Sequence, residues 1–393
     1  MNAQHAAHDI RLLRSGVALF AALIKAVDRA QHEVLLETYI FDFAGAGGDV
    51  AHALVRAAER GVRVCVVVDG VGTGALPPSW AQRFEQAGVQ CRVYSPLAGL
   101  GFWLPSRWRR LHRKLCVVDQ AVAFCGGINI LDDFIDPNVP GGLQLPRLDY
   151  AVSLRGPLVR KVHDAMTQLW SRIEAVRELR SQDIAGALEA LRSADQDLDL
   201  PTRGTVQLVL RDNVRHRSQI ERAYRKAFGS ARHDVLVASA YFFPGLRLRR
   251  ALVVAARRGV RVRLLLQGKY EYFVPYRASR QLYGKLLAAG VEIYEYHDSV
   301  LHAKVAVVDG HWATVGSSNL DPFSLLLARE ANVVVRDTTF AQDLQASLSE
   351  AMYTGATRVD AHTFAHRPWW QRLVDWGASL VLRFGVFLTG KRY

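Results

Sequence analysis

The chain has 393 residues, of which 50% are hydrophobic and 22% charged, and its 50 Lys and Arg against 37 Asp and Glu give a formal net charge of +13. This composition excludes a disordered polymer and is enough for two hydrophobic cores. Its four cysteines, Cys65, Cys91, Cys116 and Cys125, fall in or beside apolar runs without metal-ligand spacing, so they read as reduced core residues rather than a disulfide framework or a metal module.

From the N-terminus, Met1 to Ser15 is polar and lacks the apolar centre of a secretory peptide, so the chain is expected to stay in the cytoplasm. A first apolar strand runs through Val34-Leu35-Leu36 to Tyr39-Ile40-Phe41, with Glu37 read as a strand-end acid facing solvent. Ala57-Ala58-Glu59-Arg60-Gly61-Val62-Arg63-Val64 then leads into a second strand, and Ala87-Gly88-Val89 into a third. The octet His112-Arg113-Lys114-Leu115-Cys116-Val117-Val118-Asp119 follows, with the small-residue turn Gly126-Gly127-Ile128-Asn129 behind it.

Every one of these features recurs. His233-Asp234-Val235-Leu236-Val237 repeats the first strand, Ala255-Ala256-Arg257-Arg258-Gly259-Val260-Arg261-Val262 the second block, and Ala289-Gly290-Val291 the third. The second octet is His302-Ala303-Lys304-Val305-Ala306-Val307-Val308-Asp309, followed by Gly316-Ser317-Ser318-Asn319. Short Val- and Leu-rich runs alternate with helical segments, the pattern of parallel strands buried by crossover helices. The fold class is therefore α/β, with two tandem α/β/α sandwich domains. Residues 1–178 form the first, 179–205 a connector with a short helical stretch, 206–355 the second, and 356–393 a basic, aromatic, amphipathic tail.

The residue types point to phosphodiester chemistry. Histidine serves as nucleophile or proton donor near neutral pH, and two of them permit both roles at once. Lysine and asparagine donate hydrogen bonds to phosphoryl oxygens as charge shifts during displacement. A strand through the first octet sends His112 and Lys114 to one face, toward one ligand. Asn129 and Asn319 read as phosphoryl-oxygen donors, with a plain turn role as the alternative. Asp119 and Asp309 complete the octets and stand with the catalytic set, although a strand end before a turn also suits a structural task.

The paired His-x-Lys-x4-Asp octets resemble the signature of the phospholipase D superfamily, and both copies are complete. That resemblance implies two sandwiches packed face to face about a pseudo-twofold axis and a phosphohistidine intermediate formed by one histidine while the other moves protons. It implies neither metal nor cofactor. It assigns catalysis to His112, Lys114, Asp119, His302, Lys304 and Asp309, and phosphate binding to a turn made of Gly126, Gly127, Gly316 and Ser317. Asp149 takes the position that orients the first histidine, and Glu330 looks like its counterpart for His302. Within the superfamily the pattern is similar to the bacterial cardiolipin synthases of the B type, through Leu12-Leu13-Arg14-Ser15-Gly16, Glu37 to Phe41, Gly-Gly-Ile-Asn after His112, and Arg211-Asp212-Asn213. It implies transfer between two phosphatidylglycerols to give cardiolipin and glycerol, with His112 as nucleophile and His302 as acid and base. A hydrolase, a phosphatidylethanolamine-using transferase or a nuclease of the same superfamily is the alternative.

The positive charge suits an anionic partner. Two aromatic and basic segments favour phospholipid at a membrane surface over nucleic acid. One lies between Val89 and His112 and includes Phe102, Trp103, Arg107, Trp108, Arg109 and Arg110; the other recurs at helical spacing through Trp369, Leu373, Trp376, Leu380, Phe384 and Phe387. The second reads as an interfacial helix or as a terminal helix packed on the protein, and Asp375 and Arg383 speak against a membrane span. The expected location is peripheral, on the cytoplasmic side of the inner membrane. One chain holds both half-sites, so catalysis requires no dimer, and the oligomeric state is not legible.

Overall fold

In the computed structural model the described residues are 9–96, 109–136, 141–180, 183, 188–189, 205–212, 216–269 and 272–387. Most of the expected connector, and residues 97–108 of the aromatic segment before His112, lie outside them.

The first half runs β1 (Asp9–Arg14), α1 (Ser15–Asp28), β2 (Glu33–Thr38), α2 (Gly45–Glu59), β3 (Arg63–Asp69), α3 (Pro78–Ala87), β4 (Gln90–Tyr94), β5 (Lys114–Val118), β6 (Val122–Gly126), β7 (Tyr150–Arg155) and α4 (Leu158–Arg180). The second half repeats it as β8 (Val206–Arg211), α5 (Gln219–Ser230), β9 (Asp234–Ser239), α6 (Leu246–Arg257), β10 (Arg261–Gln267), α7 (Phe273–Leu287), β11 (Glu292–Tyr296), β12 (Lys304–Val308), β13 (Trp312–Gly316), α8 (Pro322–Leu326), β14 (Glu330–Val335) and α9 (Thr338–Gly355). Sheet order β1-β7-β6-β5-β2-β3-β4 in the first half matches β8-β14-β13-β12-β9-β10-β11 in the second. The tail is not detached: β15 (Ala356–Arg358) extends the second sheet beside β11, and α10 (Ala361–Ala365) and α11 (Trp369–Phe387) follow it.

The repeated Ala-Ala-x-Arg-Gly-Val-Arg-Val block has a mechanical cause. It ends a helix and starts a strand: Gly61 and Gly259 adopt φ of 86° and 88°, where a side chain would be strained. Arg60 and Arg258 each reach back to cap the preceding helix, donating to the carbonyls of Val27 and Phe228 at 2.9 and 3.1 Å.

Both sheets are mixed, which corrects the expectation of parallel strands throughout. Only β2-β3-β4 and β9-β10-β11 are parallel; β5, β6 and β7, and their counterparts, run antiparallel. The reason sits at the end of each octet, where Asp119-Gln120 (φ 50° and 51°) and Asp309-Gly310 (φ 51° and 63°) form tight reversing turns. A crossover helix has no room there.

Each sheet carries helices on its outer face, with Val34, Val66 and Cys116 packed on one set and Val235, Leu264 and Ala306 on the other. The inner faces share a single core that joins Leu115, Val117 and Val152 of the first half to Val305, Val307 and Val333 of the second, with α4 and α9 packed in. Along β5 the alternation is as expected, Cys116 and Val118 outward and Leu115 and Val117 inward. Glu37, expected in solvent, is buried on the inner side because Arg113 lies next to it and donates to its carboxylate.

Asp119 and Asp309 lie at the far end of their strands from the histidines and are structural. Asp119 accepts from the backbone N–H groups of Gln31, His32 and Glu33 at 2.8 Å each, and Asp309 from those of Arg232, His233 and Asp234 at 2.8 to 2.9 Å. Burial works to raise each pKa, but the three N–H donors outweigh it and hold both carboxyls below their ordinary value. Their contribution is therefore in place at neutral pH and is lost as pH falls through the depressed pKa. Asp309→Ala should lower the thermal midpoint by several degrees while the folded fraction keeps its active-site geometry. An unchanged midpoint with complete loss of activity would restore a catalytic role.

Candidate active site

The two halves meet through two short parallel ladders. Leu111 pairs with Arg329, and Leu148 with Leu301. In the first, the N–H of His112 donates to Arg329 O at 3.0 Å and that of Arg329 to Arg110 O at 2.8 Å. In the second, His302 donates to Leu148 O and Leu148 to Val300 O, both at 3.0 Å. Each histidine is thereby held beside the carboxylate of the other half.

That geometry corrects the expected pairing. His112 Nδ1 lies 3.0 and 3.1 Å from the two oxygens of Glu330, and His302 Nδ1 lies 2.6 Å from Asp149 Oδ2. Asp149 does not orient His112, nor Glu330 His302. The cause is spatial: each carboxylate opens the strand that follows its own half's hairpin, and the ladder places that strand end against the opposite octet. With Nδ1 committed to a carboxylate, Nε2 of each ring is left to act on a ligand.

The expected phosphate-binding turn is also corrected. The N–H groups of Gly127 and Ser317 are spent on sheet partners, Tyr150 O and Ala331 O at 3.0 Å each. A side chain at Gly127 would meet Asp149 Oδ1 at 2.3 Å, one at Gly126 the backbone of Ala151 at 2.5 Å, and one at Gly316 the Asn332 side chain at 2.4 Å. These small residues make room for the carboxylate strands. Ser317 adds a donor, its hydroxyl bonding Glu330. Gly127 pairs with the shorter acid and Ser317 with the longer one, a correlation readable in the sequence.

Lys114 and Lys304 are buried and donate to the carbonyls of their own histidines, Lys114 at 2.7 Å. Burial pushes Lys114 down to about 7, against the opposing charge of Glu330. Burial pushes Asp149 up to about 7, while Lys304 pulls the other way. His302 is held well below its ordinary value by burial and then by the charges of Lys304 and Lys114. His112 is lowered too, by burial, although Glu330 raises it.

His112, His302, Asn129 and Asn319 line one cavity of about 590 Å³. Asn129 Oδ1 accepts from the N–H of Ile40 at 3.2 Å, which leaves its amide NH₂ as the donor for a ligand. Apolar groups make much of the remaining wall, among them Val71, Phe242, Phe323, Leu327 and Leu382. Tyr39 and Arg110 are among the lining residues that were not singled out as site residues from the sequence. Tyr39 packs its ring 5.0 Å from that of His112, and Arg110 reaches Asp69 at 3.3 Å. Among the described residues no group of three or more His, Cys, Asp or Glu is placed to hold a metal ion.

The family model for the cardiolipin synthase, phospholipase D-like domain matches twice, at residues 23–139 and 224–352. Cardiolipin synthase B of Escherichia coli K12 is 38% identical over 369 residues, 92% of this chain and 85% of that one. The chain belongs to the phospholipase D-like cardiolipin synthase family. A cardiolipin synthase of Geobacillus thermodenitrificans is 32% identical over 94% of the chain and 71% of its own length. Among solved structures, phosphatidylserine synthase of Haemophilus influenzae shares the fold, with a TM-score of 0.68 at 12% identity over 95% of this chain and 94% of that one.

Within this family member the crossed pairing is open to a direct check. Glu330 raises the pKa of His112, so Glu330→Gln should lower the His112 titration, read by NMR, and leave that of His302 in place. A shift confined to His302 would contradict the crossing.

Proposed function

We propose that this chain joins two phosphatidylglycerol molecules into cardiolipin and glycerol through a phosphatidyl-histidine intermediate. The observation that carries the reading is the pair of carboxylate-held histidines lining one largely apolar cavity. A phosphodiester between them meets a nucleophile on one side and a proton donor on the other, while the walls suit acyl chains.

His112 Nε2 attacks phosphorus and the bond to the headgroup glycerol breaks. His302 gives its proton to the departing oxygen. The hydroxyl of a second phosphatidylglycerol then loses its proton to His302 and attacks phosphorus, freeing His112. His112 is given the nucleophilic role because its Gly-Gly-Ile-Asn turn is similar to the nucleophilic copy of the superfamily. Lys114, Lys304, Asn129 and Asn319 hold the phosphoryl oxygens. Glu330 and Asp149 fix the tautomers and stabilise the imidazolium forms.

The C-terminal helix supports a peripheral seat on a membrane. Asp375 is buried and forms ion pairs with Arg277 at 2.8 Å and Arg367 at 3.0 Å, which pins α11 to α7. Leu382 on the same side lines the cavity. The opposite face exposes Trp369, Trp370, Leu373, Trp376, Phe384 and Phe387. The packed face fits a terminal helix held on the protein, and the exposed aromatic face supports the interfacial reading. No helix among the described residues is long and apolar enough to cross a membrane. Burying aromatic side chains at about 1.5–3 kcal/mol each is ample for reversible attachment.

Purified protein incubated with phosphatidylglycerol vesicles should release glycerol and form cardiolipin in equal amounts, and His112→Ala should do neither. Phosphatidic acid in place of cardiolipin would mean that water is the acceptor and would overturn the transferase reading.

A further inference from the structure

The two half-sites are built alike, and they differ at a few places beside the histidines. Thr38 and Ser239 hold equivalent positions, each hydroxyl donating to the carbonyl two residues on, at 2.8 and 2.9 Å. The next residue is Tyr39 in the first half, packed on His112, but Ala240 in the second. Asp69 and Gln267 are likewise equivalent, ending β3 and β10. Asp69 accepts from the N–H of Leu111 at 2.7 Å, and Gln267 from that of Leu301 at 3.1 Å, one residue before each histidine.

Asp69 is fully used. Its other oxygen accepts from Val71 and Gly72 backbone N–H groups at 2.8 and 3.2 Å and from Arg110 at 3.3 Å. Gln267 is not. Its side-chain oxygen must face the Leu301 N–H, so the orientation of the amide is settled, and its Nε2 is left buried without a hydrogen-bond partner. The residue is 7% exposed. A buried amide donor left unpaired is costly, and a ligand oxygen relieves it.

The space beside Gln267 is a small chamber of about 20 Å³, lined also by Ala240, Lys269, Tyr272, Tyr276 and Ser279. It shares the walls Tyr241, Phe242, Tyr272 and Pro275 with the main cavity that His302 lines. A volume of this size admits about one hydroxyl-sized group, and neither an acyl chain nor a whole headgroup. Its polar lining among the described residues offers amide, ammonium and hydroxyl groups and no carboxylate.

We propose that this chamber seats a free hydroxyl of the headgroup glycerol, with Gln267 Nε2 donating to its oxygen, and so selects polyol headgroups on the His302 side of the site. The inference rests on the phosphatidyl-transfer reading above and names the substrate group that reading leaves open. Seating a hydroxyl four or five bonds from phosphorus turns the phosphate ester oxygen toward the histidine that protonates it. Gln267 is thus a specificity and positioning residue, acting on the substrate's far end.

The test compares release of glycerol from phosphatidylglycerol with release of ethanol from phosphatidylethanol, whose headgroup has no free hydroxyl, each with the same fixed concentration of 1-butanol as the phosphatidyl acceptor. Gln267→Glu keeps the acceptor for Leu301 and removes the NH₂ donor; Ala240→Tyr fills the chamber with the residue of the other half. Wild type should prefer phosphatidylglycerol, and each variant should lose roughly tenfold in kcat/KM for it without a matching fall on phosphatidylethanol. Equal losses on both lipids, or a wild type that makes no distinction between them, would overturn the assignment. A wild type that consumes neither lipid would instead overturn the transferase reading beneath it.

Discussion

The exchange of carboxylates across the two ladders is the constraint on which the rest of the molecule depends. Glu330 and Asp149 are each at least 97% buried, and a carboxylate so placed is tolerable only beside a hydrogen-bonded partner. For each of them that partner is a histidine of the other half. Separating the halves would strand two acids, two lysines and two imidazoles without their counterparts. The shared inner core, to which side chains from the sheets of both halves contribute, is what holds the ladders in register. Stability and chemistry thus rest on the same contacts.

Low polarity at the centre then sets the proton chemistry. Burial opposes charge on these side chains, drawing Lys114 and Asp149 each to about 7 and both histidines below their ordinary value. An arriving phosphodiester supplies the negative charge that the lysines and one imidazolium need. The same pairing repeated twice leaves specificity to the places where symmetry fails. Tyr39 against Ala240, Asp69 against Gln267, Gly127 against Ser317 and Asp149 against Glu330 are among the residue-level differences around the site. The exposed aromatic face of α11, which has no equivalent described in the first half, adds a larger one.

Much of this was legible in the sequence, and the misses have identifiable causes. The duplicated octets, the α/β class and the grouping of His112 and His302 at one site follow from repeats that a periodic backbone cannot hide. The mixed sheet was missed although Asp309-Gly310 is a reversing-turn dipeptide, because the Val-rich strands on either side look the same whether they run parallel or antiparallel. The carboxylates were found but attached to the wrong histidines, since chain order within a half says nothing about a ladder formed between halves. Gly126 and Gly127 suggested a phosphate cradle, and only the close approach of Ala151 and Asp149 explains them. Gln267 had no local signal at all; its meaning comes from standing where the other half has Asp69.

The measurement that bears most directly on a single centre shared by two histidines uses the His302→Ala variant with phosphatidyl-p-nitrophenol as donor. Its leaving group departs without a proton, so His302 is not needed for the first step but remains needed to activate the acceptor. The variant should release one equivalent of nitrophenolate and then stop, with the phosphatidyl group found on His112 by mass spectrometry. Continuous turnover, no release at all, or a label on another residue would contradict the division of labour between the two halves.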